Sequence, residues 1–172
     1  MVRKGHQGRS QINIMTSIAV FVVGLTVFQA PGLDKSHLTK NFLLKDFQRG
    51  CPDKIPDELI DNLCNLAINL QVIRNHIKKP IRIISGYRSL RCNKRVRGAK
   101  NSQHMKAKAA DIRVRGMSTR KLKAIIEKLI KTRQISQGGL GLYKWHVHYD
   151  VREKRARWYK IDYKNSVCLR KK

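Results

Sequence analysis

The stretch "SQHMKAKAADIRV", residues 102–114, decides how this chain folds. Its second half, "AADIRV", is short and apolar apart from Asp111 and Arg113, which predicts a β-strand. A carboxylate in a buried strand is costly unless it has a partner. His104 precedes Asp111 by seven positions, and three of the six residues between them are alanines. The chain has only 11 acidic residues against 38 lysines and arginines, so the position of Asp111 needs a chemical explanation.

Upstream of this strand, the pattern predicts a long helix and a second strand. Between Asp57 and Ile77, apolar residues recur every three or four positions, as on one face of a helix. Pro80 ends the helix, and "IRIIS" (81–85) is rich in β-branched residues and predicts a strand. The apolar stripe of the helix consists of Leu59, Leu63, Leu66, Leu70, Ile73 and Ile77.

Downstream, the pattern predicts a second helix and more strands. Ser118 caps a helix with an apolar stripe, and "GGLGLY" (138–143) is a turn that enters a strand. Alternation predicts a third strand in "WHVHYDVR" (145–152), with "ARWYKI" (156–161) as its hairpin partner. The polar and basic residues 90–103 predict a loop. The stripe of the second helix consists of Leu122, Ile125, Ile126 and Leu129.

These elements predict an α+β fold, in which helices flank a small antiparallel sheet. The domain spans residues 38–160 and is preceded by a basic segment, 1–11, and an uncharged apolar segment within 12–30. The apolar segment is at the lower length limit of a membrane span, and its form also fits a signal peptide. We expect an uncleaved membrane anchor, with a buried core helix as the alternative. Residues 161–172 form a basic tail.

The net charge of +27 is spread along the chain and would attract polyanions such as nucleic acid, anionic lipid or anionic cell-wall polymer. A generally basic protein with no selected polyanion surface is the alternative interpretation. Aromatic residues make up only 6% of the chain, and no recognition-helix pattern is present. We therefore do not expect nucleic acid as a partner.

The four cysteines, Cys51, Cys64, Cys92 and Cys168, form no CxxC pair, which argues against a zinc ribbon. If the domain is exported, one or two disulfides can form, and the sequence does not choose between the pairings. Four reduced and mostly buried thiols are the alternative.

Alternation along residues 145–152 places His146, His148, Asp150 and Arg152 on one face of the predicted strand. Catalytic zinc sites use three protein ligands and keep one position for water. His104, Asp111 and one histidine of the 146/148 pair would make such a set. The alternative is that these are polar residues satisfied by hydrogen bonds at strand ends.

Three stretches resemble the signature motifs of the M15 zinc peptidases, the D-alanyl-D-alanine carboxypeptidase family. They are "SGYRS" (85–89), "SQHMKAKAADI" (102–112) and "HVHYDVR" (146–152). The resemblance covers about residues 38 to 159 and is strongest to the M15A-type domain found in bacteria and phages. It implies a Hedgehog/DD-peptidase-like fold with one zinc ion bound on the sheet.

The resemblance also implies roles for individual residues. His104, Asp111 and His148 match the zinc ligands, and Arg88 matches the arginine that holds a substrate carboxylate or carbonyl oxygen. A guanidinium group suits that task and would stabilise a developing oxyanion. Two residues before the first ligand are expected substrate contacts, Ser102 and Gln103.

The sequence departs from the family pattern at two positions. Ala107 stands where the family usually has glycine, which costs roughly 1 kcal/mol or more if the position needs a positive φ. Trp145 stands where several branches have the acidic general base, three residues before the last zinc ligand. His146 and Asp150 are the substitutes: His146 as base or oxyanion donor, and Asp150 as base or as support for a ligand histidine. Trp145 itself would line the substrate cleft or lie in the core.

The resemblance implies an enzyme that hydrolyses peptide bonds in peptidoglycan stem peptides, of D,D- or L,D-type, as a carboxypeptidase or an endopeptidase. A catalytically inactive zinc-containing module that binds cell wall or protein is the alternative. We expect an exported protein of the periplasm or cell envelope, anchored or secreted, and a phage-encoded lysin is a further hypothesis.

Overall fold

The computed structural model describes residues 36–160 of the chain. The predicted basic segment 1–11, the anchor or signal segment 12–30 and the tail 161–172 lie outside these residues. Within residues 36–160, no helix is both long enough and apolar enough to cross a membrane.

The described residues form four α-helices and seven strands, in agreement with the predicted α+β class. The helices are α1 (Leu44–Phe47), α2 (Ile60–Ile77), α3 (Leu90–Arg95) and α4 (Thr119–Lys131), with short 3-10 turns at Asp57–Leu59 and Gln103–Lys106. The strands are β1 (His37–Thr39), β2 (Phe42–Leu43), β3 (Ile81–Ser85), β4 (Ala109–Val114), β5 (Gly139–Tyr143), β6 (Val147–Asp150) and β7 (Ala156–Lys160).

Both long helices form where the apolar stripes predicted them. Helix α4 begins after Ser118, whose Oγ accepts a hydrogen bond from the backbone N–H of Lys121 at 3.2 Å. Helix α2 ends at Ile77, and the next residue, Lys78, adopts a left-handed conformation two residues before Pro80. The apolar faces of both helices are buried in one core.

The main sheet has five strands in the order β3-β4-β6-β5-β7. All neighbouring strands are antiparallel except β5 and β7, which run parallel. The prediction that residues 156–161 pair with the strand of His148 is therefore wrong. Strand β6 already pairs with β4 on one side and β5 on the other, so it has no free edge for β7.

The predicted loop over residues 90–103 is wrong for its first part, which forms α3. This helix forms because Ser89 caps it, accepting a hydrogen bond from the Cys92 backbone N–H at 3.2 Å. Cys92 and Asn93 are buried on its inner face, although the local sequence is polar and basic. Burial against the rest of the fold therefore determines that this segment is helical, although its local sequence is polar.

A disulfide joins Cys51 to Cys92. Cys64 is a free, partly buried thiol on α2, and Cys168 lies outside the described residues.

Candidate metal centre

The site lies on the face of the sheet opposite to α2 and α4, along one row of residues that crosses the strands. Ser85 is paired with Asp111, and Asp111 is paired with His148. The row continues through Gly141 to Trp158 on the last strand. Strand register alone therefore places Asp111 beside His148, although 37 residues separate them in the sequence.

His104 reaches the same place from the 3-10 turn that precedes β4. Its Nδ1 lies 2.6 Å from the carbonyl oxygen of Gly86, so it must donate its proton there. The turn ends at Ala107, which has φ 51° and is fully buried. Position 107 therefore does have the positive φ at which alanine was expected to be costly. Ala107 occupies a left-handed conformation that favours glycine.

Three buried atoms converge at the centre: His104 Nε2, His148 Nδ1 and Asp111 Oδ1. The two nitrogens lie 3.2 Å apart, and they lie 3.4 Å and 3.0 Å from the carboxylate oxygen, respectively. His148 Nε2 lies 3.0 Å from the buried carboxylate of Asp150, so this nitrogen carries the proton of the neutral ring. Both nitrogens at the centre then present lone pairs, and so does the oxygen. The three atoms are acceptors with no donor between them, which is the arrangement a cation satisfies.

The donor set fits zinc. Two imidazole nitrogens and one carboxylate oxygen are common zinc ligands, with bond lengths of about 2.0–2.2 Å. Ligand atoms at the corners of such a tetrahedron lie about 3.3 Å apart. The separations observed here match that spacing, and all three residues line the cleft described below.

Without a cation, a proton has to join the three acceptors. Burial lowers the pKa of His148, but hydrogen bonds with Asp111 and Asp150 outweigh burial and raise it overall. At His104, by contrast, burial prevails over the contacts with Asp111 and lowers the pKa. Burial alone would raise the pKa of Asp111, yet its hydrogen bonds with the two histidines hold that pKa below the usual range. A metal ion would displace the shared proton.

Asp150 is fully buried and holds His148 in place. Its Oδ2 accepts from His148 Nε2, and both of its oxygens accept from the guanidinium of Arg152, at 2.8 Å and 2.7 Å. The backbone N–H of Gly139 donates to its Oδ1 at 2.9 Å. With every oxygen occupied and no exposure to solvent, this carboxylate fits the supporting role better than the role of a base.

Arg88 contacts Asp111, on the side of the candidate metal centre away from Asp150 and His148. Its Nη2 donates to Asp111 Oδ2 at 2.6 Å, and its Nε donates to Ser85 Oγ at 2.8 Å. A guanidinium has five N–H donors, so these two bonds leave donors that a ligand in the cleft can use.

The cleft above the centre has a volume of about 400 Å³. His146 lines it, stacked on the ring of Tyr143, with its Nε2 3.7 Å from Asp111 Oδ1. His146 lies in the β5–β6 turn, one residue before the strand on which the sequence predicted it. Burial lowers its pKa, which favours the neutral ring. The charged residues of the lining are Arg88, Arg97, Asp111, Arg152 and Lys160.

Ser102 and Gln103, the expected substrate contacts, also line the cleft and are half-buried. Trp145 does not. Its side chain is 65% exposed and lines a separate concavity with Lys144 and Met117, so it belongs neither to the core nor to the cleft wall. The roles of these residues in substrate binding stay predictions.

Two glycines that sequence reasoning did not single out make room for the site. A Cβ at Gly139 would collide with the carboxylate of Asp150, and one at Gly141 would collide with the ring of Trp158. The Trp158 ring in turn packs against the imidazole of His148, 5.0 Å between ring centroids. The signal was present in "GGLGLY", because glycines at alternate positions of a strand leave one of its faces without side chains.

Comparison with known proteins agrees with this geometry. The family model described as Peptidase M15 matches residues 36–150, which include all three converging residues. The chain belongs to the peptidase M15 family. It is 34% identical over 120 residues to a protein of Haemophilus influenzae named "Probable peptidoglycan L,D-endopeptidase MepK". The matched region covers 66% of this chain and 59% of that relative.

Proposed function

We propose that this protein is a zinc metallopeptidase that hydrolyses peptide bonds in the stem peptides of peptidoglycan. The observation that carries the proposal is the convergence of three buried acceptor atoms, on His104, Asp111 and His148, at the floor of a cleft. Family membership supports peptidase activity, and the name of the Haemophilus relative supports peptidoglycan as the substrate. The same name favours an L,D-endopeptidase, which would act in the periplasm or cell envelope.

The three converging residues would hold the zinc ion. The chemistry that a bound zinc ion supplies is a lower pKa for water and polarisation of a carbonyl group. Arg88 binds the carbonyl or carboxylate oxygen of the substrate and stabilises negative charge that develops there. Asp150 keeps His148 in the ring orientation and tautomer that a ligand needs, through its contact with Nε2.

His146 is the proposed general base. The acidic residue that has this role in several branches of the family is replaced here by Trp145. It lines the cleft next to Asp111 and is partly open to solvent, which allows its Nε2 to take a proton from water and pass it to the leaving amine. Asp150 lacks this access because it is fully buried.

The activity test is digestion of peptidoglycan by the whole chain, with mass spectrometry of the released fragments. Zinc-loaded protein is compared with chelated protein and with the His104→Ala variant. Defined fragments from the zinc-loaded protein alone would support the peptidase and identify the bond that is cut. No release from any wall tested, with zinc still bound, would favour the second candidate, an inactive zinc-containing binding module. That candidate is favoured by Trp145 at the position of the usual acid.

The base is tested with His146→Gln. We expect kcat to fall about 10²- to 10⁴-fold while the zinc content stays unchanged. His76→Gln, an exposed histidine on α2, is the matched control and should leave kcat unchanged. An unchanged kcat in His146→Gln would remove His146 from the mechanism.

A further inference from the structure

The segment Gly86–Ser89 separates the metal centre from residues 47–53 on its far side. These residues start with the last residue of α1 and are here called the clamp loop. The backbone N–H of Tyr87 donates to the carbonyl oxygen of Phe47 at 2.8 Å. A Cβ on Gly86 would collide with the Phe47 backbone, so the segment and the clamp loop are in direct backbone contact. A shift of the clamp loop would therefore move the segment.

The same short segment holds two groups of the metal centre on its other side. The carbonyl oxygen of Gly86 accepts from His104 Nδ1, and the backbone N–H of Arg88 donates to the carbonyl oxygen of His104 at 3.1 Å. The Arg88 side chain donates to Asp111. The position of the segment thus sets both the ring of His104 and the guanidinium of Arg88.

The clamp loop is joined at two points to the end of the segment and to α3, which follows it. The disulfide Cys51–Cys92 joins it to α3 across 41 residues of sequence, and both cysteines are buried. The carboxylate of Asp53 accepts from Ser89 Oγ and, at 2.6 Å, from Arg91 Nη2. The hydrogen bond from Ser89, followed by the one from Arg91, lowers the pKa of Asp53, so the carboxylate is charged at neutral pH.

We propose that the Cys51–Cys92 disulfide and Asp53 are positioning groups for the metal centre, which hold Gly86 and Arg88 where His104 and the substrate need them. This inference rests on the proposed zinc site. The protein then reaches its full affinity for zinc and substrate only while the disulfide is intact. Disulfides persist in oxidising compartments, which agrees with the envelope location proposed above.

The test measures the Kd for zinc at 25 °C by competition with a chelator, using the whole chain. The Cys51→Ala/Cys92→Ala variant removes the disulfide without leaving thiols at these two positions, where they could bind zinc themselves. We expect its Kd to rise about tenfold, the lower end of the range seen when supporting contacts of metal ligands are lost. Its KM should rise more than its kcat falls, because Arg88 binds substrate. Cys64→Ala is the matched control and should match the wild type.

A second variant, Asp53→Asn, keeps the disulfide. It should also raise the zinc Kd, by a smaller factor than the double cysteine variant does. Its control is Asp57→Asn, an exposed acid paired only with Lys54 among the ion pairs of the described residues. If the disulfide only stabilises the fold, its removal would lower the unfolding temperature but leave the zinc Kd and the KM of the folded variants unchanged. This result would overturn the inference. If the wild-type chain binds no zinc, the proposed function itself fails.

Discussion

The two faces of the five-stranded sheet are made by the same strands and work in different ways. On one face, Ile112 and Tyr149 belong to the apolar core beneath α2 and α4. On the other face, their neighbours Asp111 and His148 are held by directed contacts between polar atoms. The core face is held by apolar packing, whereas the site face brings together three acceptor atoms that a cation would satisfy. Stability and metal binding should therefore be separable by substitutions of alternate residues.

The largest change in stability is expected on the core face. Leu140→Ala removes a fully buried side chain of β5, and the free energy of unfolding should fall by about 3 kcal/mol. Chemical denaturation measures this loss of stability. The zinc Kd of the folded variant should stay within about twofold of the wild-type value. The matched control is Leu90→Ala, because Leu90 is exposed and should change stability by less than about 0.5 kcal/mol. A large loss of zinc affinity in Leu140→Ala would mean that the faces are not separable.

On the site face, Asp150→Asn should mainly affect metal binding. Loss of the charged partner of His148 Nε2 should raise the zinc Kd about 10- to 100-fold, or about 1.4–2.7 kcal/mol. Chelator competition measures the change. Glu127→Gln is the control, since Glu127 pairs with Arg157 and does not line the cleft. An unchanged zinc Kd would show that Asp150 does not affect how strongly His148 binds zinc.

The smallest effect is expected at Ala107, a core residue at the end of the turn that carries His104. Ala107→Gly relieves the left-handed conformation at φ 51° and should raise the free energy of unfolding by about 1 kcal/mol. Lys78→Gly, at φ 56° in an exposed position, is the comparison. If Ala107→Gly is destabilising while Lys78→Gly is stabilising, the buried methyl group of Ala107 contributes more through packing than the backbone strain costs.

Local pattern was sufficient where one physical signal dominated. Strand β4 occupies the predicted residues 109–114, and α2 and α4 follow their apolar stripes, because periodic burial is encoded residue by residue. The converging set of His104, Asp111 and His148 was also predicted, although the choice of His148 over His146 came from family resemblance rather than spacing.

Features that depend on distant partners were not predictable from one sequence. The place of β7 beside β5 depends on which strand edges the rest of the sheet leaves free. Helix α3 depends on the cap at Ser89 and on burial of Cys92, both fixed by contacts with the clamp loop. The contact between Asp150 and His148 was left open, since alternation places them on one face but does not show which groups meet.

The central claim is that His104, Asp111 and His148 bind one metal ion. The most direct test is zinc stoichiometry of the 172-residue chain, disulfide intact, by equilibrium dialysis and elemental analysis. The wild type should bind one zinc ion per chain, and His104→Ala should bind none at the same free zinc concentration. His76→Gln should bind as the wild type does. Equal zinc binding by the wild type and His104→Ala, or no binding by the wild type, would contradict the claim.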